Sequence, residues 1–278
     1  MRRSFVIPWP TQAGMPVLRG TGILACVVTV ALAVVAPHRA QAQGPPPTPA
    51  TGKMGAPIDL TGYWVSVVTE DWRWRMVTPL KGDAASIPTN AEARKVIDAW
   101  DPAKDEAAGL QCKAYGAPAI MRVPGRLHIT WQDDKTLRIE TDAGQQTRVL
   151  HFGGEAPRGA APSWQGYSSA KWEGPAPASN QPVPFIQAPR LGAKSRSLEV
   201  VTTQLRPGYL RKNGVPYSDK TVVKEYYDRF DEPNGDNWFM VTTVVEDPVY
   251  LAIPFVTTTH FKKIADASGW HPEPCTAR

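Results

Sequence analysis

Cysteine is scarce here: three in 278 residues. That is too few for a disulfide-rich scaffold, and none stands at the spacing of a zinc clip. No two histidines fall three or four apart as metal ligands do, so no metal site is expected. The chain has no G-x-S-x-G elbow, no phosphate-binding glycine loop and no dinucleotide fingerprint. These absences remove the common serine-hydrolase and nucleotide chemistries and give no reason to expect a cofactor. Sustained helical periodicity is also missing from most of the chain, which argues against bundles and parallel α/β folds.

No apolar run reaches the roughly 20 residues a membrane-spanning helix takes. The longest uncharged stretch, Thr21 to Ala36, follows Arg2, Arg3 and Arg19 and precedes Ala40-Gln41-Ala42. Charged start, apolar middle and small-residue exit describe a secretory signal over residues 1–42, cleaved before Gln43. Arg2-Arg3 with Phe5 leaves twin-arginine export open beside the general route, and Ile23-Leu24-Ala25-Cys26 sits too early in the apolar run for a lipoprotein box. The expected location is periplasmic or secreted, with no membrane span after cleavage. The first 42 residues hold four of the 31 basic residues and none of the 26 acidic ones, leaving 27 against 26. A nearly neutral mature chain has no field to draw nucleic acid. Cleavage also removes Cys26, and the remaining Cys112 and Cys275 form an even pair suited to a disulfide in an oxidising compartment.

Residues 43–57 read QGPPPTPATGKMGAP, a proline-rich linker with little to bury. A single β-rich domain is expected over 58–278. Period-two alternation predicts strands at Leu60–Thr69, Trp72–Val77, Arg126–Gln132, Thr136–Thr141, Gln145–Phe152, Tyr167–Glu173, Ser197–Leu205, Val222–Phe230, Asn237–Glu246 and Phe255–Lys263. Asn234-Gly235 is a hairpin signal. About ten strands without intervening helices give an all-β fold, an antiparallel barrel of lipocalin size or larger. The one short helix expected starts at a capping box of Thr89 and Glu92, carries Val96, Ile97 and Trp100, and stops at Pro102. Prolines 175, 177, 182, 184 and 189 make residues 174–190 an exposed loop and a candidate lid.

Gly62-Tyr63-Trp64 resembles the G-x-W motif that opens the first strand of lipocalins and related calycin barrels. That resemblance implies an eight-stranded barrel, its closed end plugged by the Trp, carrying a small hydrophobic ligand. A second likeness spans nearly the whole mature chain. Cys112, Gly116, Pro118, Met121, Trp164-Gln165-Gly166, Trp172-Glu173-Gly174, Val201 to Thr203, Glu225, Arg229-Phe230, Asp247-Pro248 and Pro254-Phe255 resemble landmarks of a group of exported bacterial β-rich proteins. That group carries no assigned function, so the likeness implies export and fold and lends nothing to chemistry.

Trp72-Arg73-Trp74-Arg75 alternates, so as a strand it would put two indoles on one side and two guanidiniums on the other. The indoles would be either a stacking platform or core, and the arginines either an anion clamp or a solvated face. Arg206 to Gly214 mixes cations with Tyr209, either as a mouth for an anionic or phenolic ligand or as a solvated crossover loop. Of the four histidines left after cleavage, His128 and His260 lie on polar strand faces, where one of them with Glu140, Glu225 or Asp228 would make an acid–base pair. Asp98, Asp101, Asp105 and Glu106 read as helix-end carboxylates rather than a calcium loop. The leading expectation is a binding protein for a small, partly apolar ligand held in the barrel, lined by Trp64, Trp72, Trp74, His128, Arg229 and His260. A cofactor-free hydrolase or isomerase and an envelope interaction module stand as alternatives.

Overall fold

The computed structural model describes residues 52–157, 159–173 and 197–278. The expected signal sequence, most of the expected linker and the proline-rich segment expected as a loop lie outside the described residues. Nine strands close a barrel: β1 (Gly62–Val67), β2 (Arg126–Asp133), β3 (Thr136–Thr141), β4 (Thr147–Phe152), β5 (Tyr167–Trp172), β6 (Ser197–Thr203), β9 (Val222–Asp231), β10 (Asn237–Glu246) and β11 (Phe255–Ile264). Between β6 and β9 a separate hairpin pairs β7 (Gly208–Arg211) with β8 (Val215–Tyr217). The order round the barrel is β1-β11-β10-β9-β6-β5-β4-β3-β2.

The barrel is antiparallel except where β4 and β5 run parallel. An odd number of strands cannot alternate direction all the way round, so a closed nine-stranded barrel needs one such pair. The connection from Gly153 to Gly166 has the dozen or more residues a parallel crossover takes. Nine strands with a parallel pair differ from the eight that the G-x-W resemblance implies.

Alternation fills the interior. Trp64, Ile129, Ile139, Leu150, Leu198, Val200, Tyr227, Phe239 and Val241 have no exposed surface. Trp64 packs edge-on against Phe239 at 4.7 Å, and its Nε1 donates to the Leu60 carbonyl at 2.9 Å. Among these apolar side chains sits a fully buried ion pair: Arg148 Nη1 and Nη2 meet Glu225 Oε1 and Oε2 at 2.9 and 2.6 Å. Thr202 and Tyr227 lie within hydrogen-bond reach of the same guanidinium. Glu225 is therefore committed to Arg148 and is not the partner of a histidine.

Helix is more widespread than expected. α2 (Ala91–Ala99) is capped by Asn90, one residue after Thr89, through Oδ1 to the Glu92 and Ala93 N–H groups, both at 3.0 Å. Pro102 does not merely end that helix but opens the next, α3 (Pro102–Ala107), where its missing N–H is no loss and Asp101 supplies the cap. A 3₁₀ turn at Gln111–Tyr115 and α4 (Ala117–Ile120) follow. Together with the β7–β8 hairpin these elements cover one end of the barrel. There a second cluster joins Ile87, Ala93, Ile97, Ala117, Leu210, Val215 and Tyr217 to Val223, Val245 and Phe255 at the strand ends. The expected strand at Trp72–Val77 is instead a helical turn, α1 (Trp72–Arg75), after Asp71 at φ 53°. Its N–H groups at Trp74, Arg75 and Met76 turn back to the Asp71 and Trp72 carbonyls. The linker is anchored before its expected end: Lys53 N donates to Asp134 O, and Trp172 Nε1 to Gly52 O at 2.7 Å.

Asp247 holds the capped end. Its oxygens accept from Ser218 N, Thr221 Oγ1, Val249 N and Tyr250 N at 2.5–2.9 Å. Burial raises its pKa, but these four donors more than reverse the effect and leave it below the ordinary 3.8. A depressed folded value stabilises the fold above the unfolded pKa of about 3.9 and is lost as pH falls through the folded one. Asp247→Ala is expected to cost about 2–3 kcal/mol in urea unfolding at pH 7, and progressively less as pH falls from the unfolded pKa through the lowered folded one.

Candidate functional site

Three segments far apart in sequence meet where the cap joins the barrel rim. The chain leaving β1 contributes Trp74, Arg75, Thr78 and Pro79. The turns leading into β2 contribute Ala114, Ala119, Arg122, Val123 and Pro124, and the end of the β7–β8 hairpin's first strand contributes Leu210, Arg211 and Lys212. They line a cleft with a cavity volume of about 50 Å³, room for a few water-sized groups.

Arg75, Arg122 and Arg211 are all buried, at 8, 8 and 6% exposure. Arginine is rarely buried unless its charge and its five donors are met, so the donors identify what is missing. Arg75 Nη1 pairs with Glu70 Oε1 at 2.8 Å and its Nε donates to the Arg122 carbonyl at 2.9 Å. Arg122 Nη2 pairs with Asp71 Oδ2 at 3.0 Å. Arg211 has no carboxylate within ion-pair distance among the described residues. Its donors go to the Asp83 and Ala85 carbonyls at 3.4 and 3.0 Å and to Ser86 Oγ at 3.1 Å. Among the buried donors without an acceptor are Arg75 Nη2, Arg122 Nη1 and Trp74 Nε1. All three belong to residues lining the same cleft.

The electrostatics match this deficit. Burial and then the Arg122 charge push the Arg211 guanidinium down to about 10, against smaller opposing effects of Asp83 and Asp71. Burial likewise lowers Arg75, Glu70 raises it and Arg122 lowers it further. Glu70 and Asp71 neutralise Arg75 and Arg122, leaving Arg211 and Lys212 in surplus. With Asp83 counted as well, one positive charge remains. The Trp74 ring lies 5.4 Å from the Arg211 guanidinium and 5.6 Å from that of Arg73. Arg122 lies 5.5 Å from the Phe255 ring. Aromatic rings thus lie against the Arg73, Arg122 and Arg211 guanidiniums, contacts that favour a cation over a ring face.

The strand reading of residues 72–77 is corrected in its consequence as well as its type. In a helical turn residues two apart point about 200° from one another, so the indoles separate. Trp74 lines the cleft while Trp72 does not and is 63% exposed, and Arg75 is buried. The Arg206–Gly214 segment is a hairpin rather than a crossover loop, and it supplies Leu210, Arg211 and Lys212.

The other expected lining residues are elsewhere. Trp64 is core. Arg229 ties strands together through the Asp59 carbonyl at 2.5 Å, Asp231 at 3.1 Å and Asn237. His128 stacks on Tyr63 at 4.2 Å and contacts Glu140 at 3.3 Å on a half-buried outer face. His260 Nδ1 lies 3.1 Å from Glu70 Oε2, so it stands behind the carboxylate that holds Arg75. Arg122, Glu70 and Asp71 were not expected. Arg122 interrupts an otherwise apolar Met121-Arg122-Val123-Pro124 run, which is the sequence signal for a cation held inside.

The Cys112–Cys275 disulfide fastens the C-terminal tail to the 3₁₀ turn from which Ala114 reaches the cleft. Among the described residues no helix is long and apolar enough to cross a membrane. Comparison of the chain with protein-family profiles, with curated proteins and with solved structures found no match.

Proposed function

We propose that this is an exported, periplasmic or secreted binding protein whose ligand is a small molecule bearing an oxyanion, held in the arginine cleft. The observation that carries this reading is the set of three buried, acceptor-less donors, Arg75 Nη2, Arg122 Nη1 and Trp74 Nε1, facing an excess of positive charge. A carboxylate, sulfate or phosphate group supplies acceptors for all three and relieves the crowding of guanidiniums in one step. The small cavity suits the head of a ligand and leaves the rest of it outside. The disulfide and the sequence features of the N-terminus support the location.

Acetate, inorganic phosphate and sulfate titrated against the oxidised protein at low ionic strength should quench or shift the Trp74 emission and raise Tm with concentration. Arg211→Gln should weaken binding about 10- to 100-fold, the effect of a lost charge-assisted hydrogen bond, while Arg211→Lys retains part of it. If none of these anions shifts Tm or the calorimetric baseline at millimolar concentration, the reading fails.

A further inference from the structure

Seven large apolar side chains are conspicuously exposed among the described residues: Met54, Trp72, Met76, Val77, Leu80, Ile253 and Val256. Single exposed apolar residues are ordinary, but these are not scattered. Trp72, Met76, Val77 and Leu80, at 60–73% exposure, all belong to the short segment whose Trp74, Arg75, Thr78 and Pro79 line the arginine cleft. Ile253 and Val256 flank Phe255, the ring beneath the Arg122 guanidinium. Four of the seven therefore lie on one segment that builds the cationic cleft.

Resting on the anion-site reading above, we infer that the ligand is an amphiphile: a single oxyanion, of the carboxylate or sulfate kind, carrying an unbranched or flat hydrocarbon tail. The head enters the cleft and the tail lies across Met76, Val77 and Leu80, which are interleaved with the lining residues Arg75, Thr78 and Pro79. Charge complementarity sets the head, because three donors without acceptors belong to residues lining a cleft that keeps a surplus positive charge. The apolar rim sets the tail, because an exposed patch beside a desolvated charge gains from covering both at once. A free amphiphile fits better than an anionic bilayer. The cleft is recessed and admits one head group, and 27 basic against 26 acidic residues in 43–278 give no broad basic face to hold a charged surface.

The test is a calorimetric titration of the oxidised protein with acetate, butyrate, octanoate and dodecanoate below micellar concentration, with inorganic phosphate reporting the head alone. Dodecyltrimethylammonium serves as the tail with the wrong charge. Affinity should rise about two- to fourfold per added methylene until the patch is covered, and the cationic chain should not compete. The surface triple variant Met76→Ser, Val77→Ser, Leu80→Ser should lose at least tenfold in octanoate affinity while acetate and phosphate binding stay unchanged. If acetate and phosphate bind but affinity is flat with chain length, the amphiphile is overturned and the anion site stands. If no anion binds at any length, both fall. Binding to phosphatidylglycerol vesicles without binding of any monomeric chain would overturn it in favour of a membrane surface.

Discussion

Glu225→Gln is expected to destabilise the protein by about 3–5 kcal/mol, because it leaves the Arg148 guanidinium charged and unpaired in the middle of the barrel. Both side chains have zero exposure, and the pair is bidentate. Burial disfavours the Arg148 charge, and the Glu225 and Tyr227 oxygens reverse that, leaving its pKa raised. Among the described residues Arg148 has no other carboxylate at ion-pair distance once Glu225 is neutral. Arg148→Met should cost a similar amount for the mirror-image reason. The double variant Arg148→Met, Glu225→Leu tells these costs from the value of the pair itself. Paired buried charges roughly offset their own desolvation, so the double variant should lie far above either single one and near the parent. Guanidinium unfolding of the four proteins reads the cycle directly, with a shift for each single variant of roughly 6–20 °C in Tm. A double variant as unstable as the singles would show that the pair is a net source of stability here. Single variants within 1 kcal/mol of the parent would mean that water reaches the site.

That pair was legible, though it was not read. Arg148 is in phase with Leu150 and Phe152 on β4, and Glu225 with Val223 and Tyr227 on β9. Strict alternation puts both charges on the buried faces, and two opposite charges in one core must find each other. Alternation likewise located every barrel strand. It failed at Trp72–Arg75, where four residues can satisfy period two by chance. The outcome there is decided by partners that the local pattern does not contain: Glu70, and an Arg122 carbonyl 47 residues away. The cleft was hidden for the same reason. Its cations come from residues 75, 122 and 211, and only closure of the barrel and its cap brings them together. Arg211 and Trp74 lay within segments marked as cationic or aromatic candidates, yet the expected site was the barrel interior. The structure packs that interior with side chains and brings three acceptor-less donors, Arg75 Nη2, Arg122 Nη1 and Trp74 Nε1, together at the capped rim.

Reduction of the Cys112–Cys275 bond should have an effect as large as loss of the ion pair, and by a different route. The bond closes a loop of 163 residues, and tying so long a loop removes entropy from the unfolded chain worth about 5 kcal/mol in the chain-entropy account. For a domain of this size that is roughly 10–20 °C in Tm. Hydrogen bonds that do not involve the sulfurs also hold the tail. Glu273 N still reaches Asp142 O at 2.9 Å, and the Thr276 N–H and hydroxyl lie near the Tyr115 hydroxyl at 3.4 and 3.3 Å. The folded barrel of Cys112→Ser, Cys275→Ser should therefore keep its far-ultraviolet spectrum at 20 °C while melting early. Because the unfolded state carries the effect, the unfolding rate should change less than the equilibrium does, and refolding should slow. The tail and the 3₁₀ turn lose their mutual anchor, however, and Ala114 in that turn lines the arginine cleft. Octanoate and phosphate affinity should fall severalfold in the double serine variant well below its melting temperature. Unchanged anion affinity with lowered Tm would confine the bond's role to the unfolded chain. Unchanged Tm on complete reduction would show that the C-terminal tail is held by its hydrogen bonds alone.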